Sequence, residues 1–392
     1  MHRIGQRSRC VFAASASIAV IAAIAACSSS ASGTSTAASS GPILIGASAP
    51  LSGANAYAGE DWLHGLELGV KKVNASGGVL GRQLKIVTAD NACDPATAVA
   101  ATRKLIEDKV SVILGSVCSG ATLAAMPLVK SAHIVQLTDD SSAPQITQEA
   151  GVGGNPWEFR INVDSSMLAR ALAGYIAQKA HTVYFIAEND AFGIDGVTGF
   201  KQPLAMPGVK TLGAQYYTPG LGDFDPILSR VAAAHPEGIV FISEPRDAAV
   251  IVRQIRELNM SQALFDGGGA LSQEFMTALG QSSLANGIVG SFFWNPAEDP
   301  TFTKAFQAAY GTTPPPDAVG PYYDAFVLAK AIQLGGSASP SAISAGLAKV
   351  SLTQAWGHIQ FDSHNQAHPN VALQYADNGT IKLLKVVPAS GE

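Results

Sequence analysis

The amino-acid sequence predicts an α/β protein with two doubly wound lobes, and three observations support this. Short runs rich in Val and Ile alternate with helix-forming segments, which is typical of a parallel sheet covered by helices on both faces. The alternation stops at an irregular segment, residues 151–156, and then begins again. The 392 residues are 47% hydrophobic and 14% charged, which is enough to build cores of this size.

The first set of predicted elements ends near residue 163. Its strands are the apolar runs 42–50, 84–90, 110–117, 133–138 and 157–163. Predicted helices separate these strands: one ends at the helix-stop pair Gly77-Gly78, one carries Pro95 in its first turn, and one covers 119–130. These elements predict the sheet of the first lobe.

The second set repeats the pattern. Predicted helices 165–179, 195–206, 224–234 and 246–258 alternate with strands 182–189, 211–217, 238–243 and 263–269. The chain continues with a strand at 287–294, three helices near 300–310, 320–335 and 340–349, and a strand-rich tail with the turn dipeptide Asn378-Gly379. Two sets of similar size predict two lobes rather than one large sheet.

The first 26 residues predict a secretory signal peptide, because a basic region with three arginines precedes an apolar segment of Ala, Ile and Val. The segment ends in Ile24-Ala25-Ala26-Cys27, which resembles the lipobox of bacterial lipoproteins, so we expect Cys27 to be lipidated. An ordinary cleaved signal is the alternative. Residues 27–41 are rich in Ser and Ala and carry no charge, which predicts a flexible tether.

Net charge and cysteine count limit the possible functions. The formal net charge of −5 becomes −8 without the signal peptide, because three arginines and no acidic residue are lost. This balance excludes a basic nucleic-acid surface. Cys10 leaves with the signal and Cys27 is assigned to lipid, so Cys93 and Cys118 remain. In an exported protein these two pair with each other, or they are two free buried thiols.

The segment GSVCSGAT, residues 115–122, lies where a predicted strand turns into a helix. Neither of its serines has the G-x-S-x-G pattern of a hydrolase nucleophile, and a catalytic Cys118 would need a free thiolate. A helix N-terminus with the hydroxyl of Ser119 suits a carboxylate instead, and a plain N-cap serine is the alternative. His364 and His368 lack the glutamate of a zinc motif, and no P-loop or dinucleotide fingerprint occurs, so we expect no metal and no cofactor.

Several stretches together resemble the solute-binding proteins of branched-chain amino acid ABC transporters. The longest is residues 73–122, which contains GGVLG, NACDP and GSVCSGAT; PLSG at 50–53, TDDSSAPQIT at 138–147 and DAFG at 190–193 match further family signatures in order. The resemblance covers residues 43–387. It implies a type I periplasmic binding protein fold, with two doubly wound three-layer α/β/α lobes joined by three hinge crossings and the ligand held between them.

The resemblance also implies domain boundaries and a disulfide. Lobe one would comprise residues 42–161 plus 294–362, and lobe two residues 162–293 plus 363–392. Cys93 would bond to Cys118, as the two corresponding cysteines do in such relatives.

The binding residues of lobe one are implied at three places. Ser119 matches the residue that grips the ligand carboxylate through its hydroxyl and amide. Asp140 and Ser142, with Ser141 between them, match a loop whose backbone carbonyl takes the ammonium and whose hydroxyl residue touches the same head group. Tyr57 lies one residue before the usual tyrosine position of the family.

In lobe two the sequence departs from the family pattern. Phe192 stands where a tyrosine is common, Glu244 aligns near another family aromatic, and Gly268 falls where many amino-acid binders have the acid that pairs with the ammonium. A buried ammonium without a carboxylate is costly, so Glu244 or Asp140 would have to replace that acid. If neither does, an amide, a small carboxylate or an aromatic compound becomes the expected ligand, with apolar walls at Phe293, Trp294 and Tyr323.

The function implied by the resemblance is ligand binding without catalysis. We expect the extracytoplasmic component of an ABC importer that closes around a small polar ligand, an amino acid or an analogue. We expect a monomer anchored to the outer face of the bacterial cytoplasmic membrane through Cys27, with an ABC permease as its partner and no nucleic acid. A ligand-sensing receptor domain of the same fold is the alternative to transport.

Overall fold

A computed structural model of the chain describes residues 41–388. The predicted signal peptide, Cys27 and the tether up to residue 40 lie outside these residues and stay predictions. Within the described part, no helix combines the length and the apolar composition needed to cross a bilayer.

The first sheet contains five parallel strands: β1 Ile43–Ala49, β2 Leu84–Asp90, β3 Val112–Gly115, β4 Gln136–Thr138 and β5 Glu158–Arg160. Four helices connect them or lie between them: α1 Ala56–Ala75, α2 Pro95–Glu107, α3 Ser119–Ala132 and α4 Pro144–Glu149. The strand order is β2-β1-β3-β4-β5. The order reverses between β1 and β3, which is the topological switch point of a doubly wound sheet.

The remaining strands are β6 Thr182–Glu188, β7 Lys210–Tyr217, β8 Gly238–Ile242, β9 Ala263–Asp266, β10 Val289–Phe292, β11 Leu352–Gln354, β12 Gly357–Ile359, β13 Asn370–Asp377 and β14 Thr380–Pro388. Seven of them form the second sheet in the order β14-β13-β10-β9-β8-β6-β7, and β11 pairs with β12 in a separate hairpin. Within this sheet, the neighbouring strands β10, β9, β8, β6 and β7 are parallel to one another. Strand β13 pairs antiparallel with β10, and β14 pairs antiparallel with β13.

The helices of this part are α5 Ser165–Ala177, α6 Ala191–Ala205, α7 Asp225–Ala233, α8 Pro245–Glu257, α9 Gln273–Leu279, α10 Pro300–Tyr310, α11 Val319–Gly335 and α12 Pro340–Leu347. Two 3₁₀ helices cover Ser282–Ala285 and Pro316–Ala318. Helices α10, α11 and α12 contribute to the same core as α1 and the first sheet.

Both large sheets are buried on both faces, as parallel sheets require. In β3, Val112 and Leu114 pack into the core that contains α1 and α11, whereas Ile113 packs on the opposite face with α2 and α3. Strands β6 and β8 alternate between two cores in the same way. Each large apolar side chain buried in this manner stabilises the fold by about 1.5–3 kcal/mol.

The prediction of two doubly wound α/β lobes is confirmed, and the differences in single elements have local causes. Helix α6 begins at Ala191 and not near 195, because the Asp190 carboxylate accepts a hydrogen bond from the amide of Gly193 at 2.9 Å and caps the first turn. The sequence pattern does not predict the short helices α4 and α9. Helix α9 begins where Ser272 Oγ accepts a hydrogen bond from the amide of Phe275 at 3.3 Å.

The chain passes between the two sheets three times. It leaves the first sheet after β5, returns to the core of the first sheet after β10, and enters the second sheet again between β12 and β13. The predicted lobe boundaries at residues 161, 293 and 362 fall in these connections. The assignment of residues to the two lobes stays a prediction.

Candidate functional site

A cavity of about 630 Å³ lies at the carboxyl ends of the parallel strands of both sheets. The first sheet lines it with the loops after β1, β2, β3 and β4, and the second with the loops after β6, β7, β8 and β9. Doubly wound folds bind ligands at this end of their strands. All eight residues predicted for the ligand site line this one cavity: Tyr57, Ser119, Asp140, Ser141, Ser142, Phe192, Glu244 and Gly268. Their role in binding stays a prediction.

The N-terminus of α3 carries the group predicted to hold a carboxylate. Its N-cap position is Cys118, so the interpretation of Ser119 as a plain N-cap is wrong. Ser119 is the first helical residue, and its Oγ accepts a hydrogen bond from the amide of Ala143 at 3.2 Å. The hydroxyl proton is left for donation, and the helix terminus adds a partial positive charge at the same place.

Strand β3 reaches this helix through a turn that requires glycine. Gly115 has a φ of +101°, and a Cβ there would lie 2.1 Å from the carbonyl oxygen of Ser48. A disulfide joins Cys93 to Cys118, with Cα atoms 5.4 Å apart, and ties the loop after β2 to the start of α3. A sulfur held in this bond is not available as a nucleophile.

The loop after β4 is fixed by its own polar groups. Ser141 Oγ donates to the carbonyl oxygen of Ser116 at 2.7 Å, so this hydroxyl ties two loops together. The carbonyl oxygen of Asp140 accepts a hydrogen bond from Asn162 Nδ2 at 3.2 Å and retains a second lone pair for a ligand. The side chain of Ser142 is buried at the cavity wall.

Glu244 and Glu188 form an acidic wall on the side of the second sheet. The Tyr57 hydroxyl donates a hydrogen bond to Glu244 Oε2 at 3.4 Å across the cavity. The amide of Glu244 and the hydroxyl of Tyr217 donate to Glu188 Oε1 at 2.7 and 3.3 Å. Burial, with nearby carboxylates as a second cause, raises the pKa of Glu244 to about 8 and that of Glu188 to about 9. Both groups therefore hold protons at a pH where an exposed glutamate is ionised.

Sequence analysis misses six of the eight acids that line this cavity, among them Glu188, Asp317 and Asp61. Asp317 lies in the 3₁₀ helix before α11, and its carboxyl is close to that of Asp140 in the cavity. Burial raises the pKa of both groups well above the usual range, and a neighbouring aspartate adds to the shift in each case. Asp61, in the second turn of α1, has its pKa raised to about 7 by burial. The proline run 314–316 indicates a rigid loop but not what the loop faces.

Packing excludes the acid that the resemblance implies for position 268. A Cβ at Gly268 would lie 2.9 Å from Phe192 Cζ and 3.1 Å from the Cα of Ile242. The ring of Phe192 thus occupies the space that an aspartate side chain at this position would need. Position 268 therefore supplies no acid to the cavity, which is lined instead by the carboxyls of Asp140, Asp317 and Glu244, among others.

The apolar walls differ from the expected set. Phe293 lines the cavity as predicted, together with Phe292. The prediction for Trp294 and Tyr323 is wrong, because both are buried in the core of the first sheet and neither lines the cavity. The Tyr323 hydroxyl donates to Asp299 Oδ2 at 2.7 Å, at the start of α10.

Two doubly wound lobes with a polar cavity between them define a bilobal binding protein. Residues 42–380 match the family model described as "Periplasmic binding protein", and the chain belongs to this family of extracytoplasmic proteins. It is therefore a binding protein and not an enzyme.

Three similar proteins have a name or a bound ligand that indicates what they bind. The chain is 30% identical over 257 residues to the "Amino acid binding protein" of Pseudomonas aeruginosa, which covers 65% of this chain and 68% of the relative. A branched-chain amino acid transporter substrate-binding protein from Streptococcus pneumoniae, in complex with isoleucine, superposes with a TM-score of 0.78 at 23% identity over 88% of this chain and 99% of its own. A solute-binding protein from R. palustris in complex with benzoate gives 0.80 at 23% identity over 89% and 97%. These two structures share the fold of this chain.

The disulfide is expected to stabilise the protein by about 3 kcal/mol, because it closes a long loop in the unfolded chain. The variant with both Cys93→Ser and Cys118→Ser should lose this amount of unfolding free energy in urea. A reducing agent should lower the midpoint of the unmodified protein and leave that of the double variant unchanged. Peptide mass spectrometry of the exported protein should find the linked pair, and two free thiols would contradict the prediction.

The free energy of unfolding without ligand should fall as the pH rises from about 5 to 9. Glu244 and Glu188 have folded pKa values of about 8 and about 9, above the unfolded value, so the folded state binds more protons in this window. Their stabilising contribution is complete at low pH and is lost as the pH rises through the folded values. Each group adds a slope of at most about 1.4 kcal/mol per pH unit.

Urea unfolding of Glu188→Gln across this pH range should show a shallower slope than the unmodified protein. Asp94→Asn is the control, because hydrogen bonds from Thr97 lower the pKa of Asp94 and its titration ends below this window. An unfolding free energy that rises with pH would contradict the assignment.

Proposed function

We propose that this protein is the solute-binding component of an ABC importer and that it captures an amino acid or a close analogue between its lobes. The observation that carries the proposal is the presence, in one buried cavity, of a helix N-terminus with a hydroxyl donor and of a group of carboxyls. The name of the Pseudomonas aeruginosa relative and the isoleucine in the Streptococcus pneumoniae structure support it.

The two head groups of an amino acid have complementary partners in the cavity. The ligand carboxylate accepts hydrogen bonds from the Ser119 hydroxyl and the first amides of α3, where the helix terminus favours a negative charge. The ligand ammonium donates to Asp140 or to Glu244, and this carboxyl takes the role of the acid missing at Gly268. Pairing is required because a desolvated ammonium without a carboxylate is strongly unfavourable.

Closure of the lobes converts binding into a signal for transport. Tyr57 follows β1 of the first sheet and Glu244 follows β8 of the second, so their hydrogen bond joins the two sides of the cavity. A ligand that contacts both sides shifts the protein toward the closed form by its difference in affinity for the two forms. The closed monomer then engages an ABC permease, while lipidated Cys27 and the 27–41 tether keep it at the membrane.

A small aromatic acid is the second candidate ligand. The benzoate in the R. palustris structure and the rings of Phe192, Phe292 and Phe293 at the cavity wall favour it. A ligand with a carboxylate and no ammonium would, however, add a negative charge next to Asp140, Asp317 and Glu244. The amino acid is therefore the preferred ligand class.

Isothermal titration against the twenty amino acids, their amides and aromatic acids tests the proposal. At least one amino acid should bind, and Ser119→Ala should weaken its binding about 10- to 100-fold, as expected for a lost hydrogen bond to a charged group. Ser339→Ala is a matched control, because this serine caps α12 outside the cavity. If no amino acid binds while an aromatic acid does, the second candidate replaces the first.

The anchor is tested separately by Cys27→Ser. The unmodified protein should partition into the detergent phase and carry the mass of a diacylglyceryl group, because two or more acyl chains give stable membrane anchoring. The variant should be recovered in the aqueous phase with its ligand affinity unchanged. An unmodified N-terminal fragment in the mature protein would contradict the lipoprotein assignment.

A further inference from the structure

We propose that the ligand of this cavity carries a net positive charge, as an amino acid with a cationic side chain does. The inference rests on the proposed function and adds the charge of the ligand to it.

The charges that line the cavity are unbalanced. Among the described residues that line it, one arginine faces eight acids: Asp61, Asp140, Glu188, Asp190, Glu244, Asp247, Glu274 and Asp317. The arginine is already paired, because Arg246 Nε lies 2.7 Å from Glu274 Oε1 and its guanidinium lies 4.5 Å from the centre of the Tyr57 ring. Most of the carboxyls of the cavity thus have no cationic partner among its lining residues.

Glu188 gives an independent indication that a donor is missing. Its side chain is only 2% exposed and lines the cavity. The amide of Glu244 and the hydroxyl of Tyr217 donate to Oε1, whereas no residue of the described chain donates to Oε2. A cationic nitrogen of the ligand could donate to this oxygen, and its binding would replace the proton that burial lets Glu188 hold at neutral pH.

A zwitterionic amino acid with an uncharged side chain can pair with only some of the carboxyls that line the cavity. Its ammonium neutralises charge near Asp140 and Asp317, and its carboxylate brings one negative charge back to the cavity. The net charge delivered is zero, so Glu244 and Glu188 have to stay protonated or unpaired. A second cationic nitrogen, on the ligand side chain, pairs with these two carboxyls on the wall formed by the second sheet.

The cavity has space and apolar surface for such a side chain. Its volume of about 630 Å³ is within the ordinary range for small-molecule sites. Leu168, Phe192 and Phe292 line the same cavity and can cover the methylene groups between the two cationic ends. The cationic end then reaches carboxyls, while the stem stays in contact with carbon.

The affinity for a cationic ligand should depend on pH in a way that the affinity for a neutral ligand does not. Burial, with nearby carboxylates as a second cause, raises the pKa of Glu244 to about 8 and that of Glu188 to about 9. Ligand affinity for a cation should therefore rise between pH about 6 and 8, with protons released on binding, and affinity for an anion should fall. The charged and titratable groups near Glu244 are Tyr57, Asp140, Glu188, Asp190, Asp247 and Asp317, and Arg246 lies over the ring of Tyr57.

Matched ligand pairs test the charge directly. Arginine is compared with citrulline, and lysine with norleucine, by isothermal titration of the mature protein at pH 6 and 8 in two buffers of different ionisation enthalpy. At least one cationic member should bind about 10- to 100-fold tighter than its neutral partner, as expected for an added charged contact. Glu188→Gln should remove most of this difference and spare binding of the neutral partner. Glu107→Gln, at the exposed end of α2, is the control for a lost surface charge.

The outcomes separate the two proposals. If citrulline, norleucine or leucine binds as tightly as arginine and lysine, the charge inference is wrong and the amino-acid proposal stands. If putrescine binds and no amino acid does, the amino-acid proposal is wrong and the inferred charge stands. If only benzoate or glutamate binds, with affinity that falls as the pH rises, the inferred charge is overturned.

Discussion

The site depends on one geometric constraint, the parallel arrangement of strands in both sheets. Parallel strands bring all of their carboxyl ends to the same edge of a sheet. The loops that follow the strands therefore converge there, although they are far apart along the chain. The two sheets are placed with these edges on one cavity. Residues as distant in sequence as Tyr57, Ser119 and Glu244 therefore meet there. Changes in these loops alter the cavity while the cores on both faces of each sheet stay packed.

A disulfide and a hydrogen bond fix the loops that line the cavity on the side of the first sheet. The disulfide between Cys93 and Cys118 joins two loops, and the Ser141 hydroxyl joins two others. Ser119 is consequently held in place before a ligand arrives, which lowers the entropy that ordering would cost. We therefore expect Ser119, whose neighbour Cys118 is held in the disulfide, to act as a preorganised hydrogen-bond donor to the ligand.

Strand ends could be found from the sequence, and the depth at which side chains lie could not. Apolar runs that alternate with helical segments predicted the sheets. Ser119 and Glu244 each lie shortly after the end of such a run. Asp317 could not be predicted because it lies in a segment that follows no strand of either sheet. Asp61 could not be predicted because it lies within α1, whose second turn has one face toward the cavity. Trp294 was assigned to the cavity wall on composition alone, while packing places its ring against Phe302. Whether a side chain fits at position 268 depends on where the ring of Phe192 lies, and no local sequence pattern specifies that position.

The proposed closure of the lobes and the proposed selection for a positive ligand both depend on the same group of carboxyls. Glu244 on one side of the cavity lies near Asp317 on the other, and like charges at this distance repel unless a proton or a cation lies between them. The Tyr57 hydroxyl offsets only part of this repulsion, because it supplies a single hydrogen-bond donor to Glu244. Protons can fill this role in the empty protein, at the cost of binding them at neutral pH. A cationic ligand fills it without that cost, and because both lobes contribute carboxyls, its charge is compensated fully only when the lobes are closed. The acids that make the empty cavity unfavourable are thus the means by which a positive ligand can drive the lobes together.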